Sequence, residues 1–191
     1  MQRLPWTAAV LTFALAGCGS PQPAEQTETP SDTSAPTTPA TDAQGLQATA
    51  LLRTADGLDA GRAVARAGPD GQVTVMVDAQ GLPPGPHGVH VHTTGRCDGP
   101  TFETAGGHWN PANAQHGLEP PPGQHAGDMP NLVVGQDGRG SLEYQLVGAT
   151  FEGLLDSDGS AFMVHASADD QRTDPSGDSG DRIACGVFER G

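Results

Sequence analysis

The chain contains no lysine. Its nine basic residues are all arginine, set against 23 acidic ones, and the formal net charge is −14. That balance excludes a nucleic-acid binder, which needs a basic face to neutralise phosphates. It also excludes an anionic membrane surface as an electrostatic partner. Aromatic residues make up only 4% of the chain, so a core must be built mainly from Val, Leu, Ala and Ile. The apolar run Leu4 to Ala16 is too short to span a membrane, which takes ~20 residues.

Glycine and proline are abundant, at 27 and 17 of 191 residues. Such a content disfavours long helices and favours a loop-rich or all-β fold. The length suits one domain with extensions, or at most two small domains.

Residues 1 to 17 read as a secretory signal, with Arg3 as a positive n-region and Leu4 to Ala16 as the h-region. The run ends Leu15-Ala16-Gly17-Cys18, which resembles the bacterial lipobox, where the chain is cut before a Cys that then carries lipid. The alternative is an ordinary signal peptide with an incidental Cys. With Cys18 lipidated, Cys97 and Cys185 remain as one even pair, as suits an oxidising compartment. Residues 18 to 45 are then an anchor and a tether. Fourteen of the 27 residues after Cys18 are Pro, Ser or Thr, and none is a large hydrophobic. Such a segment buries too little to offset its ordering entropy. Fully extended it reaches about 90 Å.

Residues 46 to 191 read as one domain. Gln72 to Asp78 places Val73, Val75 and Val77 on one face, and Gly88 to Thr93 does the same with Val89 and Val91. Further strands are expected over 47–53, 61–67, 131–134, 140–147, 160–165 and 182–189. Turn signals separate them, among them Pro69-Asp70-Gly71, Gln136-Asp137-Gly138 and Asp158-Gly159. Eight short strands with Gly-rich turns predict an all-β sandwich or barrel. Two stretches, about 95–130 and 166–181, lack any strand pattern. Loops of that length in a compact domain are usually functional.

All seven histidines fall between positions 87 and 165. His90 and His92 are two apart on a strand and project from one face, so their rings converge on one ion. The first long loop carries His108, His116 and His125, then Asp128. Three imidazoles and a carboxylate make a closed tetrahedral set for Zn²⁺, which marks a structural site. A loosely His-rich loop binding metal non-specifically is the alternative. His165 ends a strand and joins His90 and His92 as the third nitrogen of an open site. Nitrogen-rich tetragonal or planar sites suit Cu(II).

At these residues the chain resembles the copper/zinc superoxide dismutases. The matching segments are His87-Gly88-Val89-His90-Val91-His92, Gly106-Gly107-His108-Trp109-Asn110-Pro111, His116-Gly117, His125-Ala126-Gly127-Asp128-Met129-Pro130-Asn131, Val164-His165-Ala166 and Arg182-Ile183-Ala184-Cys185-Gly186-Val187. The resemblance covers about residues 46 to 191 and implies an eight-stranded Greek-key β-barrel or sandwich with two long functional loops. It implies one copper per subunit on His90, His92, His108 and His165. It implies one zinc per subunit on His108, His116, His125 and Asp128, with His108 bridging both. Asp169 sits where the family joins a copper ligand to a zinc ligand, and His87 matches a non-ligand that braces the copper strand. Cys97 and Cys185 match the family disulfide. The activity implied is disproportionation of superoxide to O₂ and hydrogen peroxide by Cu(II)/Cu(I) cycling. In it His108 carries a proton and Arg182 guides the anion.

The chain departs from better-known members in its short acidic segment 166–181 and its lack of steering lysines. The folded domain has eight Arg against 19 acidic residues, a charge of −11. An exported copper/zinc carrier or chaperone without dismutase activity is the competing reading; such relatives usually lack a copper ligand, and none is missing here. The implied location is the cell envelope, periplasmic or at the cell surface, with the membrane reached through Cys18. The oligomeric state, a homodimer included, is left open.

Overall fold

Val73, Val75 and Val77 are fully buried, while Thr74 and Met76 are half-buried and Asp78 is exposed. This two-residue period, with β-branched residues inside, makes a strand that covers a core on one face. The computed structural model describes residues 46–118 and 123–191, all within the unit Asp42–Gly191. The signal segment, Cys18 and the tether expected over 1–45 lie outside the described residues.

Among the described residues nine strands follow in order: β1 (Gln47–Thr54), β2 (Asp59–Ala67), β3 (Val73–Ala79), β4 (Gly85–His87), β5 (Val89–His92), β6 (Leu132–Val134), β7 (Gly140–Gln145), β8 (Ala161–His165) and β9 (Arg182–Arg190). Eight of them fall on the segments expected from alternation. The ninth, β4, is three residues long with Pro86 at its centre, too short to show a period. It pairs antiparallel with β6, His87 opposite Leu132. A single-turn helix, α1 (Phe151–Leu154), starts at Thr150, whose side chain accepts from the Gly153 N–H. Its capping oxygen satisfies one of the free donors of the first turn.

Seven strands form one antiparallel sheet in the order β5-β8-β9-β1-β2-β3-β7. The out-of-sequence neighbours β3–β7, β5–β8 and β9–β1 are the long crossovers of Greek-key connection. The β4–β6 pair spans the two edges of this sheet. At one edge β4 runs through Gly88 into β5. At the other, the Val133 carbonyl of β6 lies only 2.6 Å from where a Cβ on Gly140 of β7 would stand. Only glycine permits that approach, and it curls the sheet toward closure.

The core is small-residue and aliphatic: Ala48, Ala50 and Leu52 of β1, Ala63 and Ala65 of β2, the three valines of β3, and Val89 and Val91 of β5. Phe162 and Phe188 meet edge to face with centroids 6.4 Å apart. A second cluster of Phe102, Ala105, Ala161, Met163 and Cys185 lies under the first long loop, with Cys97 packed against it. The Cys97–Cys185 disulfide is formed across 88 residues, with Cα atoms 5.7 Å apart. It joins that loop to β9. Among the described residues neither of the two stretches expected to lack strands contains one; the first holds a 3-10 turn, Glu103–Ala105, and single bridge residues at His108 and Asp128.

Candidate metal centre

Strand β5 faces the core with Val89 and Val91 and turns His90 and His92 the other way, yet all four residues are buried. The loops supply the cover by pairing with the free edge of β5. The Trp109 N–H donates to the Val91 carbonyl, the Val91 N–H to Gly127 and the Gly127 N–H to Trp109, at 2.8–2.9 Å. Bridge pairs follow on either side, His92 with His108 and His90 with Asp128. Backbone pairing thus sets one loop histidine and one loop carboxylate beside the two strand histidines. Gly127 is required there, since a Cβ would lie 2.2 Å from the Val91 oxygen.

Two clusters share His108. In the first, Asp128 Oδ1 stands 2.9 Å from His108 Nδ1, 3.0 Å from His116 Nδ1 and 3.2 Å from His125 Nδ1. His125 Nδ1 and His108 Nδ1 are 3.4 Å apart. Metal bonds of about 2.0–2.1 Å give a tetrahedron edges of about 3.3 Å, so these four atoms fit Zn²⁺. The other oxygen of Asp128 accepts from the Gly117 and His125 N–H groups, which fixes the carboxylate.

The second cluster joins His90, His92, His108 and His165, whose ligand nitrogens all lie within 4.8 Å of one another. His90 Nδ1, His92 Nε2, His108 Nε2 and His165 Nε2 are buried and have no hydrogen-bond partner. Orphaned buried nitrogens are costly, and four aimed at one point fit a metal of tetragonal preference such as Cu(II). In each outer ring the opposite nitrogen is already engaged: His90 Nε2 with Asp169 at 2.6 Å, His92 Nδ1 with the Gly106 carbonyl at 2.9 Å, His165 Nδ1 with the Gly180 carbonyl at 3.2 Å. These partners fix ring orientation and tautomer.

Asp169 links the clusters, with Oδ2 on His90 and Oδ1 3.0 Å from His116 Nε2. Asn131 clasps its backbone on both sides, donating to the Asp169 carbonyl at 2.9 Å and accepting from its N–H at 2.8 Å. Gly177 packs against the same carboxylate, where a Cβ would fall 1.7 Å from Oδ1. Asp174 accepts from the His116 N–H at 2.7 Å. His87 faces the carbonyls of His165 at 2.7 Å and Pro83 at 2.8 Å, tying β4 to the end of β8. Arg182 donates to the Phe102 carbonyl at 2.8 Å and to Gly106 at 2.7 Å.

Burial pushes His90 down to about 3 and His165 to about 4, and holds His92 well below its ordinary value. All three are therefore neutral, the form that binds metal. Burial opposes a charge on His116 too, but its hydrogen bonds to Asp128 and Asp169 outweigh that and raise it to about 9. For both aspartates burial is likewise outweighed by the histidine hydrogen bonds, which hold them below the usual carboxylate range.

Sequence comparison decides the family. The family model for copper/zinc superoxide dismutase matches residues 60–188. The chain belongs to the copper/zinc superoxide dismutase family. Copper and zinc are this family's metals, and the two clusters offer places for them. Its similarity to the Cu-Zn superoxide dismutase of Caulobacter vibrioides is 39% identity over 149 residues, covering 74% of this chain and 85% of that one. A superoxide dismutase-like protein of Bacillus subtilis is 44% identical over 125 residues, and the chain spans only 64% of its length. In structure, the Cu/Zn superoxide dismutase of Brucella abortus superposes with a TM-score of 0.62 at 29% identity, over 75% of this chain and 99% of that one. The crystal structure of the Bacillus subtilis protein gives 0.66 at 39% identity, over 73% and 96%.

Ten of the twelve site residues expected in the folded domain stand in or against this centre, the seven histidines, Asp128, Asp169 and Arg182, and the other two, Cys97 and Cys185, form the disulfide. Nothing in the sequence marks the supporting set of Asn131, Asp174, Gly177 and the Gly106 and Gly180 carbonyls. Carbonyls carry no sequence signature, and the segment around Asn131 does not show that its side chain reaches Asp169.

Proposed function

We propose that this chain is a superoxide dismutase working outside the cytoplasm. Copper would be held by His90, His92, His108 and His165, and zinc by His108, His116, His125 and Asp128. The observation that carries this reading is the convergence of four buried, partnerless imidazole nitrogens, one of them on a ring whose other nitrogen faces the Asp128 cluster. Bound copper supplies a one-electron redox couple, which zinc lacks.

The protein's residues account for the rest. Two superoxide ions and two protons become one O₂ and one H₂O₂. Arg182, braced by two carbonyls, keeps further N–H donors and a permanent charge to dock each anion. His108 delivers one proton from Nε2 to the second superoxide while its Nδ1 side stays fixed in the Asp128 cluster. Asp169 holds His90 and His116 in register, so neither cluster shifts without the other. Burial excludes bulk water from the rings.

The signal segment and Cys18 support export and lipid anchoring, with residues 19–45 as reach, and a disulfide suits an oxidising compartment. Exposed Leu51, Leu58 and Val133 offer apolar surface for a homodimer. Substituting Cys18→Ser tests the anchor: the protein should move from the membrane fraction to the soluble extract, and continued membrane retention refutes it. Superoxide consumption by the copper- and zinc-loaded protein tests the activity. Full metal loading without turnover would favour a metal carrier.

A further inference from the structure

The four residues of the Asp128 cluster are not held alike. His108 and Asp128 lie in bridge pairs with His92 and His90 of β5. His125 stands one turn before Asp128, whose N–H donates to the His125 carbonyl at 3.1 Å. Among the described residues His116 pairs with no strand. Its hold comes from the acidic stretch 166–181. Asp169 Oδ1 meets its Nε2 at 3.0 Å, and Asp174 Oδ1 accepts from its backbone N–H at 2.7 Å. Gly117 lies flush against the same stretch, where a Cβ would fall 1.9 Å from the Gln171 carbonyl oxygen. A Cβ on Gly177 would fall 2.8 Å from His116 Nε2. The stretch itself is braced. Asp170 accepts from the Arg172 and Thr173 N–H groups at 3.0 and 2.8 Å. The Gly177 N–H donates to the Thr173 carbonyl at 2.7 Å, and the Gly88 N–H, between β4 and β5, to the Ser167 carbonyl at 2.8 Å. The Asp170 carboxylate thus bonds within its own turn, while the exposed Asp174 reaches across 58 residues of sequence to the first long loop.

Resting on the assignment of zinc to His108, His116, His125 and Asp128, we infer that Asp174 is a positioning residue for zinc, whose carboxylate latches the His116 backbone against the cluster. A bound ion leaves when one of its ligands swings away. Three of the four are carried by backbone paired to β5 or by the turn that ends there, so His116 is the ligand free to move first. That movement requires the bond between Asp174 and the His116 N–H to open. The latch therefore sets how long zinc stays, and it acts through one acceptor oxygen at one place, not through the negative charge of the stretch. Hydrogen bonds to an ionised acceptor are the stronger kind. Partners beyond the ligands change metal binding by about 10–100-fold, and a bond made at an exposed rim belongs at the low end of that range.

The test uses the full chain, loaded with copper and zinc, and three variants: Asp174→Ala, Asp174→Asn and Asp170→Asn. Zinc loss is followed with a zinc-selective fluorescent chelator, at concentrations where the rate no longer depends on the chelator. Hydrogen exchange of the His116 backbone amide is measured separately in the metal-free proteins. Asp174→Ala should release zinc about tenfold faster than the wild type and speed exchange at the His116 amide by a similar factor. Asp174→Asn keeps an acceptor oxygen and should stay within about threefold of the wild type in both. Asp170→Asn removes the same charge from the same stretch and should change neither. Zinc release from Asp174→Ala at the wild-type rate overturns the inference. Release from Asp174→Asn as fast as from Asp174→Ala also overturns it, since charge and not the acceptor would then matter. So does an Asp170→Asn variant that matches Asp174→Ala. A wild type that takes up no zinc would instead refute the zinc assignment, and exchange at the His116 amide would then decide the latch on its own.

Discussion

Every outer imidazole of the copper cluster is fixed through the nitrogen that faces away from the ion. Asp169 is the one carboxylate among these partners, and beside the shared His108 it joins a ring of each cluster, His90 and His116. Replacing it, Asp169→Asn, should weaken both copper and zinc binding by about 10–100-fold, the usual cost of losing such a support. Chelator competition measures this, and unchanged affinity for both metals would remove Asp169 from the account. The same residues set the acid behaviour of the metal-free protein. His90 at about 3 and His165 at about 4 lie below the 6.5 of the unfolded chain, so between those values the unfolded chain binds more protons. Their contribution is full above about pH 6.5 and lost as pH falls through the folded values. Asp128 and Asp169, held low, add stability that is present above their ordinary 3.8 and lost in stronger acid. His116 runs the other way: raised to about 9, it stabilises fully below 6.5 and loses its contribution as pH climbs through 9. Urea melts of the metal-free protein should therefore show a maximum at about pH 7, falling toward acid and, more gently, toward pH 9. A profile flat from pH 4 to 7 would contradict the buried neutral histidines.

At the scale of elements, the centre depends on loops paired to the bare edge of β5 and pinned by one disulfide. Closing a loop of 88 residues is worth about 4–5 kcal/mol in the chain-entropy account. Replacing Cys97→Ser with Cys185→Ser should lower unfolding free energy by up to that amount. It should also loosen the loop whose Phe102 and Gly106 carbonyls hold Arg182, so activity should fall more than copper content. Equal loss of both would show that the disulfide serves the metal sites alone. Much of this was legible in sequence. The valine alternation of β3 and β5 predicts strands because one face must be buried. The spacing of His90 and His92 places two rings on one side, and the loop histidines announce a closed tetrahedral set. Strand β4 stayed hidden because three residues around Pro86 show no period. The close approaches at Gly127 and Gly177 stayed hidden because a glycine in a Gly-rich chain does not say which backbone it must admit. The clasp of Asn131 on Asp169 joins residues 38 apart, and nothing local in either segment predicts it.

For the whole molecule, ordering of a barrel with few aromatics gives one clean optical probe. Trp109 is the only tryptophan in the folded domain. It is buried, lies between His108 and the Gly127 pairing, and packs on Gly153. Zinc binding to the metal-free protein should shift its emission to shorter wavelength and saturate at one equivalent, since the clusters share the segment that carries it. No shift through one equivalent would mean that the loop is ordered without metal. The central claim is that the two clusters form one redox centre acting on superoxide. The most direct test measures superoxide consumption and metal content together, in the purified protein and in His92→Ala. The account predicts one copper and one zinc per chain with rapid turnover, and a variant that keeps zinc while losing copper and activity together. Full loading of both metals in the wild type without turnover, or undiminished turnover in His92→Ala, would contradict it.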